Sequence, residues 1–370
     1  MTMSQRQRIR IADPDIDSDE KRRVMSVLES GDLADGEEVR TFEEKFSDYC
    51  GVDHGVATAN GTAALHAALA ALDIGEGDRV LTTPLSFVAT ANAVRLCGAE
   101  PVFADIDPAT YNLDPEAAAD CIQAYDGDID AILVVHLYGL PVRVDRFREL
   151  ADAHDAALIE DCAQAHGAEF RNQRVGSFGD VAAFSFYPTK NMTTGEGGMV
   201  VTDDETAAER AASFVNHGRS PTDGSVHERV GHNFRMTNLA AAIGLAQLER
   251  LPEYVAARRV HARVLSERLE DTDLTLPVEP GDCRHAYHQY TVRCRHRSTL
   301  REKLSDFGID TGVYYPTPIH EQPAYDDIDC TMPHAERATE EVLSLPIHPG
   351  LSAADLRTIA TAVDYVETYD

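Results

Sequence analysis

Apolar residues recur along this chain in two alternating rhythms. Short apolar runs at 55–59, 79–83, 101–104, 129–136, 157–160, 178–186 and 198–202 read as strands, while segments 63–72, 87–97, 144–154 and 204–216 carry apolar residues at helical spacing. Such alternation predicts an α/β fold with a mostly parallel sheet covered by helices on both faces. Ligands of these sheets sit at the carboxyl ends of the strands. Ahead of the sheet, 19–30 and 37–49 read as two amphipathic helices separated by a turn that holds Gly31 and Gly36, a clasp rather than a domain. The helical segment 238–269, with a break expected near Pro252, carries the chain onward. Beyond 274 come a strand (287–294), helices (299–307 and 353–369) and a Pro- and Tyr-rich loop (314–325). The expected organisation is a large domain with its helical clasp over 1–250 and a smaller C-terminal α/β domain over 251–370.

Composition narrows the class. The 63 acidic residues outnumber 33 basic ones, give a net charge of −30 and are spread along the chain, which argues against nucleic acid as a partner. Only four of the basic residues are lysines, Lys21, Lys45, Lys190 and Lys303. Dispersed acid with little lysine suggests a halophilic source, where salt screens the self-repulsion. The seven cysteines are scattered without metal-ligand spacing, so no metal site is expected and a reduced, cytoplasmic setting is. No apolar run is long enough for a membrane, and the polar stretch 1–20 does not read as a signal peptide.

Three stretches carry candidate chemistry. In Phe184-Ser-Phe-Tyr-Pro-Thr-Lys190, followed by glycines to Gly198, a lysine stands at the end of an apolar, β-prone run. A partly desolvated amine has a lowered pKa and can condense with an aldehyde, as a lysine does when it holds pyridoxal 5′-phosphate. The same residues also fit a lysine at a strand end before a glycine hairpin turn. Asn60-Gly61-Thr62 lies between a strand and a helix, which by itself fits an ordinary helix cap and also suits a phosphate at the helix N-terminus. Asp161 follows the strand 157–160, where a carboxylate can hold the proton on a pyridine nitrogen; Gln164 can face the same cavity and bond the phenolic oxygen.

In combination, Asn60-Gly-Thr-Ala-Ala-Leu65, His136-Leu-Tyr-Gly139, Glu160-Asp-Cys-Ala-Gln-Ala-His-Gly167, Phe186-Tyr-Pro-Thr-Lys-Asn191, Gly231-His-Asn-Phe-Arg-Met236 and Tyr315-Pro-Thr-Pro-Ile-His320 with Gln322-Pro-Ala-Tyr325 resemble the DegT/DnrJ/StrS family of sugar aminotransferases. The resemblance runs to about Pro349 and implies a pyridoxal-phosphate enzyme of fold type I. By motif, Lys190 is similar to the Schiff-base lysine and proton shuttle, Asp161 to the ring-nitrogen partner and Gln164 to the ring-hydroxyl contact. Gly61, Thr62 and Ser185 match the phosphate cradle. Phe87 matches an aromatic residue stacked on the ring, with core packing the alternative. Asn233 matches a residue lent by a neighbouring subunit, which implies a homodimer with shared sites. His320 and Tyr315 fall in the loop that approaches the sugar; Arg235 and Arg219 are candidate diphosphate contacts or ion-pair partners. Asn238 and Asp32 depart from the family's pattern. Dehydrating relatives carry histidine in place of the lysine, and this chain keeps Lys190. The resemblance implies transfer of nitrogen from L-glutamate to a nucleotide-linked keto-sugar, with a keto-cyclitol acceptor or a non-catalytic regulatory role as the alternatives.

Overall fold

A computed structural model describes residues 8–220 and 222–369; the first seven residues of the polar N-terminal stretch lie outside it. Helix α1 (Ser18–Ser30) opens on a reciprocal cap in which the Asp17 carboxylate takes the Asp19 N–H and Glu20 takes the Asp17 N–H. Helix α2 (Glu37–Cys50) follows, then strand β1 (His54–Thr58) and helix α3 (Gly61–Ala71). The remaining sheet elements come in order: β2 (Arg79–Thr82), α4 (Ala89–Cys97), β3 (Glu100–Phe103), α5 (Pro115–Ala124), β4 (Ala131–Val135), α6 (Val144–His154) and β5 (Ala157–Asp161). Two short strands, β6 (Glu169–Phe170) and β7 (Gln173–Arg174), precede β8 (Val181–Ser185), β9 (Gly198–Thr202) and α7 (Glu205–Val215).

The seven-stranded sheet has the order β1-β9-β8-β5-β4-β2-β3. Strands β3, β2, β4, β5 and β8 are parallel, and β9 runs against both β8 and β1. The predicted parallel sheet is therefore mixed at one strand only. Strands β4, β8 and β9 are buried along their whole length, which is why they read as unbroken apolar runs. Strands β8 and β9 form a hairpin whose connection, residues 186–197, carries Lys190. The stretch is thus a hairpin, but its connection is the whole of 186–197 rather than a tight turn at the glycines, and Lys190 stands half-buried within that loop at the carboxyl edge of the sheet rather than exposed at a strand end.

Helix α8 (Asn238–Leu269) runs without the predicted break, with Pro252 inside it. Proline removes one N–H bond to the preceding turn, and the packing of α1, α2 and the C-terminal helix on α8 holds the rod together across that gap. The rest comprises β10 (Cys283–Arg284), β11 (Tyr290–Arg293), α9 (Arg297–Asp306), α10 (Pro333–Glu341), β12 (Val342–Leu345) and α11 (Ala353–Tyr369). A C-terminal core gathers Ala262, Leu265 and Leu269 of α8 with Val292, Leu343, Ile359 and Val363. The expected division at 250/251 falls inside α8, which contributes to the core around β8 with its first half and to the C-terminal core with its second. The N-terminal stretch joins the C-terminal core as well: Ile9 donates to Gly308 O at 2.9 Å, and its carbonyl accepts from Asp310 at 2.8 Å.

Candidate active site

Strand ends from β1, β5 and β8 converge on one cavity of about 900 Å³. Leaving β1, the chain reaches Asn60, whose carboxamide caps α3 by accepting the Ala63 N–H at 2.9 Å. The N–H groups of Gly61 and Thr62 follow that cap in the first turn, at the positive end of the helix, where an anion is favoured. Gly61 is required here by contact: a Cβ on it would lie 2.6 Å from Cβ of Ser185 and 2.9 Å from its hydroxyl. A helix N-terminus and a serine hydroxyl therefore face each other across a gap that no side chain fills.

Asp161, the last residue of β5, is 4% exposed. Its Oδ2 accepts from Thr90 Oγ1 at 2.9 Å and its Oδ1 from the Ala163 N–H at 3.1 Å. Burial pushes this carboxyl above the usual range, against those two bonds and the charge of Lys190. Burial pulls the partly covered Lys190 amine down to about 8, with Asp161 opposing the shift. A cofactor with a protonated ring nitrogen would meet the carboxylate's need for a cationic partner.

Gln164 Oε1 accepts the Tyr138 N–H at 2.8 Å and Nε2 donates to Tyr315 Oη at 3.2 Å, which leaves one amide hydrogen of this donor pair for a ligand. Phe87 is 53% exposed, so it is not core packing; its ring lies 5.8 Å from that of Tyr315, tilted by 38°. Thr62, Ser185, Lys190, Tyr187, Glu196 and His288 share the lining. His288 is buried, and burial together with Lys190 holds its imidazole well below the ordinary value, hence neutral. His66 is likewise lowered to about 4 by burial and by His232. Among the described residues that line the cavity, Lys190 is the one group of cationic type left.

The structure thus brings together Gly61, Thr62, Phe87, Asp161, Gln164, Ser185, Lys190 and Tyr315. It does not bring the other sequence candidates into this chain's cavity. Asn233 is exposed and bridges Asn216; Arg235 donates to the Asn216 carboxamide; Arg219 is exposed and bridges His227. His320 is 6% exposed and pairs with Glu336 at 3.3 Å. Asn238 fastens the turn between α1 and α2, donating to Asp32 O at 2.8 Å and accepting from Val39 at 3.3 Å.

Sequence reasoning passed over Thr90, which lies within a predicted helix and bears no mark of its partner, and the wholly buried pair His136–Glu160, 2.9 Å apart. Glu160 also accepts the N–H groups of Gly176, Phe178 and Gly179 at 2.8–2.9 Å. Burial works to raise its pKa, but His136 and these amides together outweigh it and hold the carboxyl below the usual value. Although Cys162 lies close by, this set spends its lone pairs on the protein, so it reads as a strut under Asp161.

A lysine amine over a buried carboxylate, beside a phosphate-shaped helix terminus on a mostly parallel sheet, defines the class of pyridoxal-phosphate enzymes, and the residues fit that cofactor. The sequence profile of the DegT/DnrJ/EryC1/StrS aminotransferase family matches residues 14–364, and the chain belongs to that family. It is 39% identical over 377 residues to a GDP-perosamine synthase of Caulobacter vibrioides, covering 98% of this chain and 100% of that one. It is 39% identical to a UDP-N-acetyl-3-dehydro-alpha-D-glucosamine 3-aminotransferase of Acidithiobacillus ferrooxidans, covering 92% and 91%. The solved structure of Streptomyces venezuelae DesV in complex with a ketimine intermediate superposes with a TM-score of 0.90 at 37% identity, covering 95% of each chain. The protein is an aminotransferase, and pyridoxal phosphate is its cofactor.

Proposed function

We propose that this enzyme transfers an amino group from L-glutamate to a keto-sugar carried on a nucleoside diphosphate, releasing 2-oxoglutarate and an amino sugar nucleotide. One observation carries the reading: a single depressed-pKa amine, Lys190, shares a cavity of about 900 Å³ with the buried Asp161. That cavity is large enough for cofactor and sugar together, and the relatives named above act, by their names, on GDP- and UDP-linked sugars.

When bound, pyridoxal phosphate supplies the aldehyde carbon that takes up nitrogen and a ring that accepts an electron pair. The chain's own residues do the rest. The N–H groups of Gly61 and Thr62 and the Ser185 hydroxyl would hold the phosphate, and Phe87 would pack on the ring. Asp161, held by Thr90 and Ala163, keeps the ring nitrogen protonated; Gln164 spends its remaining N–H on the ring oxygen. Lys190 Nζ, about half of it free of its proton at pH 8, would be the group that takes the proton from the donor's α-carbon and, in the second half-reaction, returns one to the acceptor. Tyr315, which lines the cavity beside Phe87 and Gln164, would face the acceptor, and His320 stays with Glu336.

A diphosphate requires cations that one chain's cavity lacks. Asn233, Arg219 and Arg235 lie on the segment 217–235, outside their own cavity, and we assign them to the site of a second copy in a homodimer. The described residues contain no helix long and apolar enough to cross a membrane, which supports a cytoplasmic enzyme; the charge of −30 supports a salt-rich cell. The test is turnover with GDP-, UDP- and dTDP-linked keto-sugars against free keto-inositols, with L-glutamate as donor. Turnover of nucleotide sugars alone supports the proposal; turnover of keto-inositols alone moves the enzyme to cyclitols, and no turnover of any acceptor favours a regulatory role.

A further inference from the structure

Polar residues buried on an apolar helix face call for a partner. On α8, Gln247 is 2% exposed within Leu245-Ala-Gln-Leu248. Its Nε2 donates to the carbonyl of Asp15 at 2.8 Å and to Glu20 Oε1 at 2.6 Å, while its Oε1 accepts the N–H of Thr193 at 3.4 Å. Thr193 belongs to the loop that carries Lys190. Its hydroxyl in turn donates to Phe186 O at 2.8 Å and accepts the Gly195 N–H at 2.9 Å, so it joins the two limbs of the loop, alongside Asn191, whose amide donates to Ala286 O at 3.1 Å. One turn further along α8, Arg250 gathers Asp15, Asp17 and Glu20. At its other end the same N-terminal stretch is pinned to the C-terminal domain through Ile9 and through Arg8, which binds Ser305 at 3.0 Å. Between these two attachments residues 12–15 close over a cavity of about 30 Å³ whose far wall is Pro188–Asn191, the back of Lys190.

We propose that Gln247 is a positioning residue for Lys190, tying the amine's loop to residues 9–20, which act as a strap across the back of the active site. The inference rests on the reading of Lys190 as the reacting amine. Freed from Gln247, the loop gains room to swing, and a displacement of an ångström at a reacting atom costs on the order of a hundredfold in rate.

The test uses the full-length apoprotein as wild type, Gln247→Met and Arg250→Gln, below their melting temperatures. Two quantities are measured: amide exchange at Thr193 and residues 10–16, and the rate at which Lys190 Nζ condenses with added pyridoxal phosphate, losing water, followed by the visible band of the product. Gln247→Met is expected to speed exchange at Thr193 and to slow condensation about tenfold per folded molecule. Arg250→Gln, which loosens the strap and leaves Gln247 in place, is expected to speed exchange over 10–16 and slow condensation about two- to threefold. If Gln247→Met does not fold, Arg250→Gln decides: slower condensation with faster exchange at Thr193 as well as over 10–16 upholds the proposal, and faster exchange confined to 10–16 with unchanged condensation overturns it. A lowered melting temperature with an unchanged condensation rate overturns the proposal, because a merely structural glutamine would behave so. If the wild type forms no band, the reading of Lys190 fails instead, and exchange at Thr193 still decides whether the strap holds the loop.

Discussion

Removing the Lys190 amine should change how the stability of the apoprotein depends on pH. The amine's pKa falls from 10.5 to about 8 on folding, because burial disfavours its charge more than Asp161 restores it. Taken at ~1.4 kcal/mol per unit, that is a penalty of about 3 kcal/mol; the side chain is only partly covered, and screening by water brings the working figure to ~2 kcal/mol. Below pH 8 the amine is protonated in both states and the full penalty applies. Between pH 8 and 10.5 the unfolded chain holds a proton that the folded chain has released, so stability rises with pH. Urea unfolding of wild type and Lys190→Met apoprotein at fixed salt, from pH 7 to 10, reads this directly. The wild type should gain about 2 kcal/mol relative to Lys190→Met across that range. Loss of the Lys190 charge also removes a favourable neighbour from Asp161, which shifts the two curves vertically at neutral pH without altering this slope. Parallel curves would show that Lys190 is not desolvated and would undercut its assignment as the amine.

Other expectations follow from individual contacts. Thr90→Val removes one of two bonds to Asp161, raises its pKa further and should move the acid limb of the kcat profile to higher pH, with about a tenfold loss of kcat; an unmoved limb would remove Thr90 from the account. Gly61→Ala forces a Cβ against Ser185 and should weaken pyridoxal phosphate binding by about 1–3 kcal/mol in an equilibrium titration, with little change in far-ultraviolet dichroism. Glu160→Gln leaves one of the amides at 176–179 poorly satisfied and should cost about 1–3 kcal/mol in urea unfolding. Added salt should raise the melting temperature by screening a net charge of −30; a protein equally stable and active at low ionic strength would argue against a salt-adapted source.

How far the sequence revealed this arrangement depends on how local each cause is. Strands β4, β8 and β9 were legible because burial on both faces writes itself as continuous apolar sequence. Asp161 was legible because it ends a strand run, and Lys190 because it follows one within the next loop. Helix α5 went unread although Asp114 and Pro115 form a regular start signal, since its alanine-rich body has little periodicity. Pro252 was read by a local rule that tertiary packing overrides. Thr90 against Asp161, Tyr138 against Gln164 and Ile9 against Ile309 are pairings between distant positions, and no local pattern encodes them. Gln247 did leave a trace, as a lone amide in an apolar helical stripe. His320 shows the converse: its motif pointed toward the sugar loop, and the fold turns its ring to Glu336.

The central claim is that Lys190 and pyridoxal phosphate together accept nitrogen from an amino acid. Its most direct test is the visible absorption spectrum of the purified holoenzyme in high salt, before and after adding L-glutamate, with Lys190→Ala alongside. The account predicts a lysine-bound cofactor band in the wild type that glutamate converts to the absorption of the aminated cofactor, and neither the band nor the conversion in Lys190→Ala. A cofactor-loaded wild type that does not respond to glutamate, or a Lys190→Ala variant that responds as the wild type does, would contradict it.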